Sequence, residues 1–318
     1  MKNLPFISKL LLHSAVAAER AGGVIRDILS KGDLKVVVKG IGDLQTEADR
    51  QAQRCIISEL RSSFPNDKLT IVGEEDIPEE KVEGELKKLP IFDTVLDILE
   101  KKGCPSALTD VKANDVVIWI DPLDGTSEFT QGLLDHVTVL IGISVRGQAV
   151  AGVVHQPYFG YEDKTKSAEN LGRTAWGMKD LGVFGMPTTK PPARENIVVT
   201  TRSHNDGLVE DAVQSVQPSK VERVGGCGHK VMLLIEGKAH AYVFASPGCK
   251  KWDTCAPEAL LHACGGRLTD MNGNFIRYLV NEPRPNTTGI LATAENHQWY
   301  LDRLPPVSFC YHTHSSYR

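Results

Sequence analysis

Two aspartates at the end of an apolar run are the first residues whose types and spacing could do chemistry. In "VVIWIDPLDGTSEF", residues 116–129, Pro122 is predicted to end a strand and to force a turn. The carboxylates of Asp121 and Asp124 and a turn carbonyl can then converge on one point. Convergent oxygens of this kind suit a hard cation such as Mg²⁺. The alternative is a plain Pro-x-Asp-Gly turn whose aspartates accept hydrogen bonds from backbone amides.

The next two residues could handle a phosphate group. Gly125 permits close approach of the backbone, and free amides at the start of a helical turn can hold a phosphate oxygen. Thr126 could also orient a water molecule. A capped turn is again the alternative interpretation of these two positions.

A second predicted strand also ends in acids. "KLTIVGEED" closes on Glu74, Glu75 and Asp76, three like charges that repel one another unless they are solvated or balanced by a cation. Taken by itself, this stretch favours a solvated acidic loop. The metal interpretation therefore depends on the other acids.

Two helical patterns carry one further acid each. Asp49 in "LQTEADRQAQ" lies on a predicted helix, where Arg50 and Arg54 could simply pair with it. Asp253 in "CKKWDTCAPEALL" falls at the start of a helical pattern, where capping and the helix dipole alone favour aspartate. Each acid has a structural alternative, so only their joint pattern indicates a site.

Composition and missing motifs exclude several other classes. The 318 residues carry a formal net charge of −4, with Lys and Arg spread along the chain, which argues against a nucleic-acid polymer as partner and leaves a small anionic ligand possible.

Seven cysteines without a CxxC pair indicate neither a disulfide framework nor a zinc site, and they predict reduced thiols in the cytosol. The sequence contains no GxxxxGK[ST], GxGxxG, HExxH or GxSxG motif. Phosphate chemistry on metal ions survives this elimination.

Hydrophobic periodicity and length predict two lobes. Residues 1–160 form the predicted N-terminal α+β lobe, which contains a mainly antiparallel sheet with a hairpin at Arg146-Gly147. Its first helix is amphipathic and is interpreted as neither a signal peptide nor a membrane span. A pair of surface helices is predicted within 79–110. Residues 161–318 form the predicted α/β lobe, and the proline-rich "MPTTKPPAREN" is an exposed loop or a connection between the lobes. The predicted helices are 4–30, 46–64, 205–216, 228–236 and 252–264, and the strands of the second lobe are 196–201, 221–224, 240–244 and 288–293.

The motifs GEED, WIDPLDGT and WDTCAPEALL, in this order, resemble those of the lithium-sensitive, Mg²⁺-dependent phosphatases of the inositol monophosphatase superfamily. "DLQTEADR", "TTRSH", "RVGG" and "GGRLTD" extend the resemblance to the 3'(2'),5'-bisphosphate nucleotidase branch, over roughly residues 5 to 300. This resemblance implies a layered α-β-α-β-α sandwich with the active site in the cleft between the lobes.

The resemblance also implies a role for each acid. Two or three Mg²⁺ ions are expected, and Asp49 would reach a further metal or its water. The amides of Gly125 and Thr126 would hold the phosphate, and Asp49 and Thr126 would activate the attacking water. The implied metal ligands are Asp49, Glu74, Asp121, Asp124, Asp253 and the backbone carbonyl of Leu123.

The nucleotide side of the implied site lies in two loops. From the residues alone, "TTRSH" is a capped loop and "GGCGHK" a helix start; the resemblance instead gives them substrate contacts. Cys227 and His229 depart from the family pattern, where smaller or amide residues are expected, and this affects the contacts near Lys230. The implied substrate-binding residues are Thr201, Ser203, His204, Gly226 and Lys230.

The implied reaction is hydrolysis of the 3'-phosphate of adenosine 3',5'-bisphosphate to AMP and phosphate, by attack of a metal-activated water. Activity on 3'-phosphoadenylyl sulfate is also expected. An inositol polyphosphate 1-phosphatase, acting on inositol 1,4-bisphosphate, is the alternative. A silent sensor would lack one of the five acids, and all five are present. We expect a cytoplasmic, soluble, monomeric, Li⁺-inhibited enzyme without nucleic-acid or membrane partners.

Overall fold

Two large β-sheets and the helices that flank them make up the framework of this computed structural model, which describes residues 4–32, 34–40, 43–78, 89–167, 170–202 and 207–306. A short antiparallel hairpin, formed by β1 (Val37–Gly40) and β2 (Asp43–Gln45), precedes the first large sheet.

The first large sheet has six strands in sequence order. The first pair is parallel and every later pair is antiparallel, as the sequence predicts for the N-terminal half. The strands are β3 (Thr70–Gly73), β4 (Val116–Asp124), β5 (Thr138–Val145), β6 (Gln148–Gln156), β7 (Arg173–Met178) and β8 (Gly182–Phe184).

The lobe boundary predicted after residue 160 falls inside this sheet. β7 and β8 follow that position, and β7 pairs with β6 over six residues. The extra pairing covers the edge of β6, which would otherwise expose a row of unpaired backbone groups. We therefore propose that the boundary lies after Phe184, in the proline-rich connection.

The second large sheet has five strands in the order β10-β9-β11-β13-β12. β9 is parallel to both of its neighbours, whereas β13 is antiparallel to both of its own. The strands are β9 (Ile197–Thr201), β10 (Lys220–Val224), β11 (Ala241–Phe244), β12 (Arg267–Thr269) and β13 (Ile290–Thr293). Four of them match the predicted strands to within two residues at each end.

The helices agree with the periodicity of the sequence. The five predicted helices are present, each within two residues of its predicted bounds. Of the predicted pair within 79–110, residues 79–88 lie outside the described part, and one α-helix occupies the remainder. The helices are α1 (Phe6–Lys31), α2 (Glu47–Ser63), α3 (Pro90–Lys102), α4 (Thr126–Thr130), α5 (Gly207–Ser215), α6 (Cys227–Ile235), α7 (Lys251–Ala263) and α8 (His297–Leu301).

The elements stack as the predicted layered α/β sandwich, and the fold class is confirmed. α1 and α2 pack on one face of the six-stranded sheet, α6 and α7 lie between the sheets, and α5 and α8 pack on the five-stranded sheet. Side chains alternate along β6, so Val153 joins the core under α1 while Val154 joins the core around α7. Among the described residues, no helix is both long and apolar enough to cross a membrane.

Close packing sets the position of α7 against the six-stranded sheet. A Cβ atom added to Gly142 on β5 would lie 2.5 Å from the Cys255 Cβ atom, and one added to Gly152 on β6 would lie 2.7 Å from the Ala256 carbonyl oxygen. Any side chain at these positions would push the helix away. The two glycines therefore fix how closely α7, and the acid at its first turn, approaches the sheet.

Candidate active site

The end of β4 places Asp121 and Asp124 together. The sequence predicts that the strand ends at Pro122, but it continues to Asp124 through a bulge, in which Pro122 and Leu123 oppose the single residue Val139 of β5. Pro122 has no N–H group to donate to the ladder, and bulges accommodate proline. The Leu123 N–H donates to Asp121 Oδ1 at 3.0 Å, so part of the predicted turn geometry is present.

Asp124 joins the two halves of the molecule. From the six-stranded sheet, the Thr138 hydroxyl donates to its Oδ2 atom at 2.7 Å. From α6, the Cys227 N–H donates to Oδ1 at 2.9 Å and the Gly228 N–H to Oδ2 at 2.8 Å. These amides belong to the first turn of α6, which favours a negative charge. The carboxylate is therefore held rigidly from both sides.

Asp49 and Thr126, 77 positions apart in the chain, meet directly. The Thr126 hydroxyl lies 3.0 Å from Asp49 Oδ1 and 3.0 Å from the Leu123 carbonyl oxygen, so its proton is shared between two acceptors. Asp49 is also the third residue of a capping box, in which its Oδ2 atom accepts the Thr46 N–H at 2.7 Å. Arg50 pairs with Glu47 instead of Asp49. This fully buried acid therefore caps α2 and contacts Thr126 at the same time, and its role in a site stays a prediction.

The three acids of the GEED motif occupy different positions relative to the cavity. Glu74 lines the site cavity, whereas Glu75 is buried and Asp76 is exposed. Lys39 from the β1–β2 hairpin pairs with Glu74 at 3.1 Å and with Glu75 at 2.9 Å. Gln53 on α2 fixes the backbone of Glu75 through two hydrogen bonds, at 2.7 and 3.0 Å. The interpretation of this stretch as a solvated acidic loop is therefore correct only for Asp76.

Asp253 reaches the site from α7, in the helix layer between the two sheets. It is the third residue of the α7 cap, and its Oδ2 atom accepts the Lys250 N–H at 2.7 Å. Because α7 lies tightly against β5 and β6, its first turn ends beside the acids of β4. The cap interpretation is again correct, and it does not exclude the role in the cavity.

These residues meet in a cavity of about 470 Å³ that both halves of the molecule line. Asp49 lies behind Thr126 and is connected to the cavity through the Thr126 hydroxyl. Ser203 and His204 lie outside the described residues, so their predicted contacts stay predictions. The predicted site residues that line the cavity are Glu74, Asp121, Leu123, Asp124, Gly125, Thr126, Thr201, Gly226, Lys230 and Asp253.

Burial and mutual repulsion raise the pKa values of the acids. Burial holds the pKa of Asp121 well above its usual value, and neighbouring carboxylates raise it further: Glu74, Asp124 and Asp253. Burial likewise raises the pKa of Asp253 to about 8 and that of Asp49 to about 7. Burial also raises the pKa of Asp124, although the hydrogen bonds that this carboxylate accepts lower it. Burial of the carboxyl group is the cause that all four pKa shifts share.

Such a donor set fits a hard divalent cation. Four carboxylates and the Leu123 carbonyl offer only oxygen, the ligand type of Mg²⁺, and a cation would relieve the repulsion among them. Within the described ranges, no three His, Cys, Asp or Glu side chains already stand in a geometry that could hold a metal ion. Asp124 and Asp253 instead point their oxygens at backbone amides.

Gly125 and Lys230 provide the electropositive side of the cavity. Gly125 has φ of 87°, a left-handed conformation that suits glycine, and it turns the chain from β4 into α4. The Lys230 ammonium group donates to the Gly226 carbonyl at 2.9 Å and lies 5.1 Å from the centre of the Tyr242 ring. Lys230 is almost fully buried, so its charge acts on the cavity without competition from bulk water.

Several cavity residues were not predicted from the sequence. Tyr242 and Phe244 both face the cavity because alternate residues of β11 share one side, a signal that the strand prediction already contained. Glu128 follows the DGT motif closely, and its buried carboxylate lies 3.6 Å from the guanidinium group of Arg202. Lys39 gave no sequence signal, because its partners lie 35 positions away.

This arrangement of buried acids between two sheets defines a phosphatase of a recognised class. The model of the inositol monophosphatase family matches residues 8–306. The human protein named 3'(2'),5'-bisphosphate nucleotidase 1 is 50% identical over 300 residues, which cover 94% of this chain and 95% of that protein. The mouse protein named Golgi-resident adenosine 3',5'-bisphosphate 3'-phosphatase is 30% identical over 314 residues, 95% of this chain and 82% of that protein. The chain therefore belongs to the inositol monophosphatase family.

Solved structures agree on the fold. The extragenic suppressor protein suhB of Bartonella henselae aligns with a TM-score of 0.65 at 22% identity, and the match covers 92% of this chain and 97% of suhB. The family predicted from the three motifs is confirmed. The chain is accordingly a phosphoric monoester hydrolase of a family that generally depends on metal ions.

Proposed function

We propose that this enzyme hydrolyses the 3'-phosphate of adenosine 3',5'-bisphosphate to give AMP and phosphate, and that it also acts on 3'-phosphoadenylyl sulfate. Two relatives support the substrate class by their names, one at 50% identity across nearly the whole chain. The observation that carries the proposal is the meeting of Thr126 and Asp49 at the acid cavity, opposite Thr201, Gly226 and Lys230. We further propose a monomer located in the cytoplasm.

We propose that two or three Mg²⁺ ions bind at the acids. The side chains of Glu74, Asp121, Asp124 and Asp253 and the carbonyl of Leu123 would hold them, with Asp49 reaching one further ion or its water. When bound, the ions neutralise the charge of the phosphate and of the leaving oxygen, and they make water more acidic. The raised pKa values of the acids support this assignment, because cations remove the repulsion that raises them.

The protein's own groups would position the substrate and move the proton. The amides of Gly125 and Thr126, at the start of α4, would donate to phosphate oxygens. Lys230 would meet a second phosphate as a point charge. Thr201 and Gly226 line the nucleoside side of the cavity, and Ser203 and His204 belong to the same proposed set.

Thr126 and Asp49 form the proposed proton path. The Thr126 hydroxyl donates towards Asp49, so a lone pair of its oxygen can accept a proton from a water in the cavity. Asp49, whose pKa burial raises to about 7, can take the proton onward near neutral pH. The water would attack phosphorus in line with the leaving 3'-oxygen and without a covalent phosphoenzyme.

A substrate panel tests the proposal. The purified enzyme is assayed in Mg²⁺ with adenosine 3',5'-bisphosphate, 3'-phosphoadenylyl sulfate, inositol 1,4-bisphosphate and inositol 1-phosphate, and products are identified by chromatography. We expect the highest kcat/KM for adenosine 3',5'-bisphosphate, loss of activity with a chelator, and inhibition by Li⁺. An Asp121→Asn variant with an unchanged circular dichroism spectrum excludes a contaminating phosphatase if its activity is lost.

The other outcomes are equally informative. A higher kcat/KM for inositol 1,4-bisphosphate would show that the alternative, an inositol polyphosphate 1-phosphatase, is the main activity. Preference for inositol 1-phosphate would refute the nucleotidase proposal. Full activity of the folded Asp121→Asn variant would refute the metal assignment instead.

A further inference from the structure

Arg202 and Glu128 connect the two halves of the molecule beside the acid cavity. Arg202 directly follows Thr201, which is the last residue of β9 and part of the cavity wall. Its Nη1 atom lies 3.6 Å from the Oε1 atom of Glu128, a residue of α4 that also lines the cavity. The Arg202 side chain is 40% exposed and that of Glu128 only 4%, so the arginine lies on the solvent side of the pair. It therefore places a positive charge where the cavity wall meets solvent.

Neighbouring residues hold both side chains in place. The Arg202 Nη2 atom donates a hydrogen bond to Gln131 Oε1 at 2.9 Å. Glu128 packs so closely against Gly225, between β10 and α6, that a Cβ atom added to this glycine would lie 2.1 Å from Glu128 Cδ. Glu128 is thus fixed between the two halves, and together with Gln131 it orients the guanidinium group.

The guanidinium group has more donors than these contacts use. A separation of 3.6 Å is too long for a hydrogen bond, and Glu128 Oε1 is buried without a hydrogen-bond partner in the described part of the chain. Among the described residues, Gln131 is the one acceptor of a hydrogen bond from the Arg202 side chain. Arginine carries five N–H donors in a planar fork that matches a phosphate group. Within that part of the chain, most of these donors therefore remain available to a ligand.

We propose that Arg202 binds the second phosphate of a bisphosphate substrate, and that it makes the enzyme prefer bisphosphates to the corresponding monophosphates. Asp121 and Asp124, at the proposed site of the scissile phosphate, are almost fully buried, whereas Arg202 lies beside solvent. The two phosphates of one substrate would thus meet different groups. Glu128 is a positioning residue, which holds the guanidinium group without touching the substrate.

The inference rests on the proposed function in one respect, namely that the substrate carries two phosphates. Lys230 is proposed for the same phosphate as a point charge, and Arg202 would add two parallel N–H donors. Hydrogen bonds between charged groups change binding by about 10- to 100-fold. An effect of this size on the second phosphate alone would distinguish bisphosphates clearly from monophosphates.

Pairs of substrates that differ by one phosphate test the inference. Both kcat and KM are measured in Mg²⁺ for adenosine 3',5'-bisphosphate against adenosine 3'-monophosphate, and for inositol 1,4-bisphosphate against inositol 1-phosphate. In each pair, the ratio of kcat/KM for the bisphosphate to that for the monophosphate reports recognition of the second phosphate. In the pair that the enzyme prefers, we expect Arg202→Gln to lower this ratio by about 30-fold, mainly by raising the KM of the bisphosphate. Arg202→Lys keeps the charge but not the fork, and it should lower the ratio by about threefold.

A double variant separates phosphate binding from charge compensation. If Arg202 only neutralised Glu128, combining Glu128→Gln with Arg202→Gln would restore the ratio of the unmodified enzyme. We expect the ratio to stay as low as in Arg202→Gln. Arg146→Gln is the matched control, because Arg146 pairs with Asp115 at 3.4 Å before the opposite end of β4 from Asp124. This control should keep the ratio of the unmodified enzyme, and thermal unfolding checks the fold of every variant.

Specific results would overturn the inference. It fails if Arg202→Gln keeps the ratio of the unmodified enzyme, if the double variant regains it, or if Arg146→Gln lowers it equally. It also fails if the unmodified enzyme shows no preference for the bisphosphate in either pair. The nucleotidase proposal fails separately, if the unmodified enzyme prefers the inositol substrates, and the inositol pair then tests Arg202. Because each ratio compares two substrates of one protein sample, partial unfolding of a variant cancels.

Discussion

Helices α2 and α7 begin in the same way, yet their acids face different surroundings. In each helix the third residue is an aspartate that accepts the N–H of the capping residue at 2.7 Å: Asp49 from Thr46 and Asp253 from Lys250. Asp49 then accepts the Thr126 hydroxyl and stays behind it. Asp253 stands in the open cavity among other carboxylates. One local motif therefore positions both the proposed proton acceptor and one of the proposed metal ligands.

The causes of the pKa shifts show the same difference. Burial dominates both, but the second largest influence on Asp49 is the stabilising hydrogen bond from the Thr46 side chain. For Asp253 it is repulsion by Glu74. The surroundings of Asp49 and Asp253, and not the capping motif, therefore determine the different roles that we propose for them. The predictions below test this difference.

The largest effect is expected for Asp49→Asn. The amide can still cap α2, because its oxygen accepts the Thr46 N–H, but it cannot take a proton from Thr126. We expect kcat to fall by about 1,000-fold, with a smaller rise in the Mg²⁺ concentration for half-maximal activity than Asp253→Asn causes. Steady-state kinetics over a Mg²⁺ series, with thermal unfolding as a check of the fold, measures both. An unchanged kcat would remove Asp49 from the proton path.

The next effect is expected for Asp253→Asn. Loss of one negative charge in the cavity should raise the Mg²⁺ concentration for half-maximal activity by about 100-fold, while saturating Mg²⁺ restores part of kcat. Glu258→Gln is the matched control, a buried acid on the same helix that hydrogen bonds to Tyr278 outside the cavity. If Asp49→Asn and Asp253→Asn change the same parameter by the same factor, the contrast between the two helices is wrong.

A smaller effect is expected at Thr126, which connects Asp49 to the cavity. Thr126→Val removes a hydrogen bond to a charged group and should lower kcat by about tenfold. Thr126→Ser keeps the hydroxyl and should retain most of the activity. Equal losses in both variants would mean that the methyl group matters and the hydroxyl does not.

The smallest effect concerns stability and the remaining acid of α7. Burial raises the pKa of Glu258 to about 8, so the folded protein keeps it neutral while the unfolded chain ionises it above about pH 4.3. Its contribution to stability is present below that pH and is lost as pH rises towards about 8, by at most about 1.4 kcal/mol per pH unit.

Glu258→Gln removes this dependence. Urea unfolding at several pH values within the window should show that the unfolding free energy of the unmodified protein falls with pH more steeply than that of the variant. Parallel curves would show that Glu258 ionises in the folded protein as readily as in the unfolded chain.

The sequence predicted the fold well where a helix or strand has one buried face, because apolar residues then recur at a regular spacing. Long amphipathic helices and the β5–β6 hairpin follow the periodicity of their own sequence. β8 and β12 were missed because each has three residues, too few to show alternation. β7 was missed as well, and with it the true extent of the six-stranded sheet. Its pairing with β6 depends on tertiary structure and leaves no local signal.

The site was predictable as a set of residue types and not as a set of contacts. Motifs indicated the acids, but no sequence rule gives the Thr126–Asp49 hydrogen bond across 77 positions. The pairing of Lys39 with Glu75 was hidden for the same reason. Such contacts depend on how the two sheets face each other, which only the folded chain determines.

The glycines of β5 and β6 extend the consequences of core packing to catalysis. Gly142 and Gly152 let α7 rest on the sheet without an intervening methyl group. The distance between Asp253 and the acids of β4 therefore depends on the absence of side chains at these two glycines, which lie away from the cavity. Under the proposed metal assignment, a substitution in this part of the hydrophobic interior, far from the cavity, would change the spacing of the acids and with it the affinity for the ion.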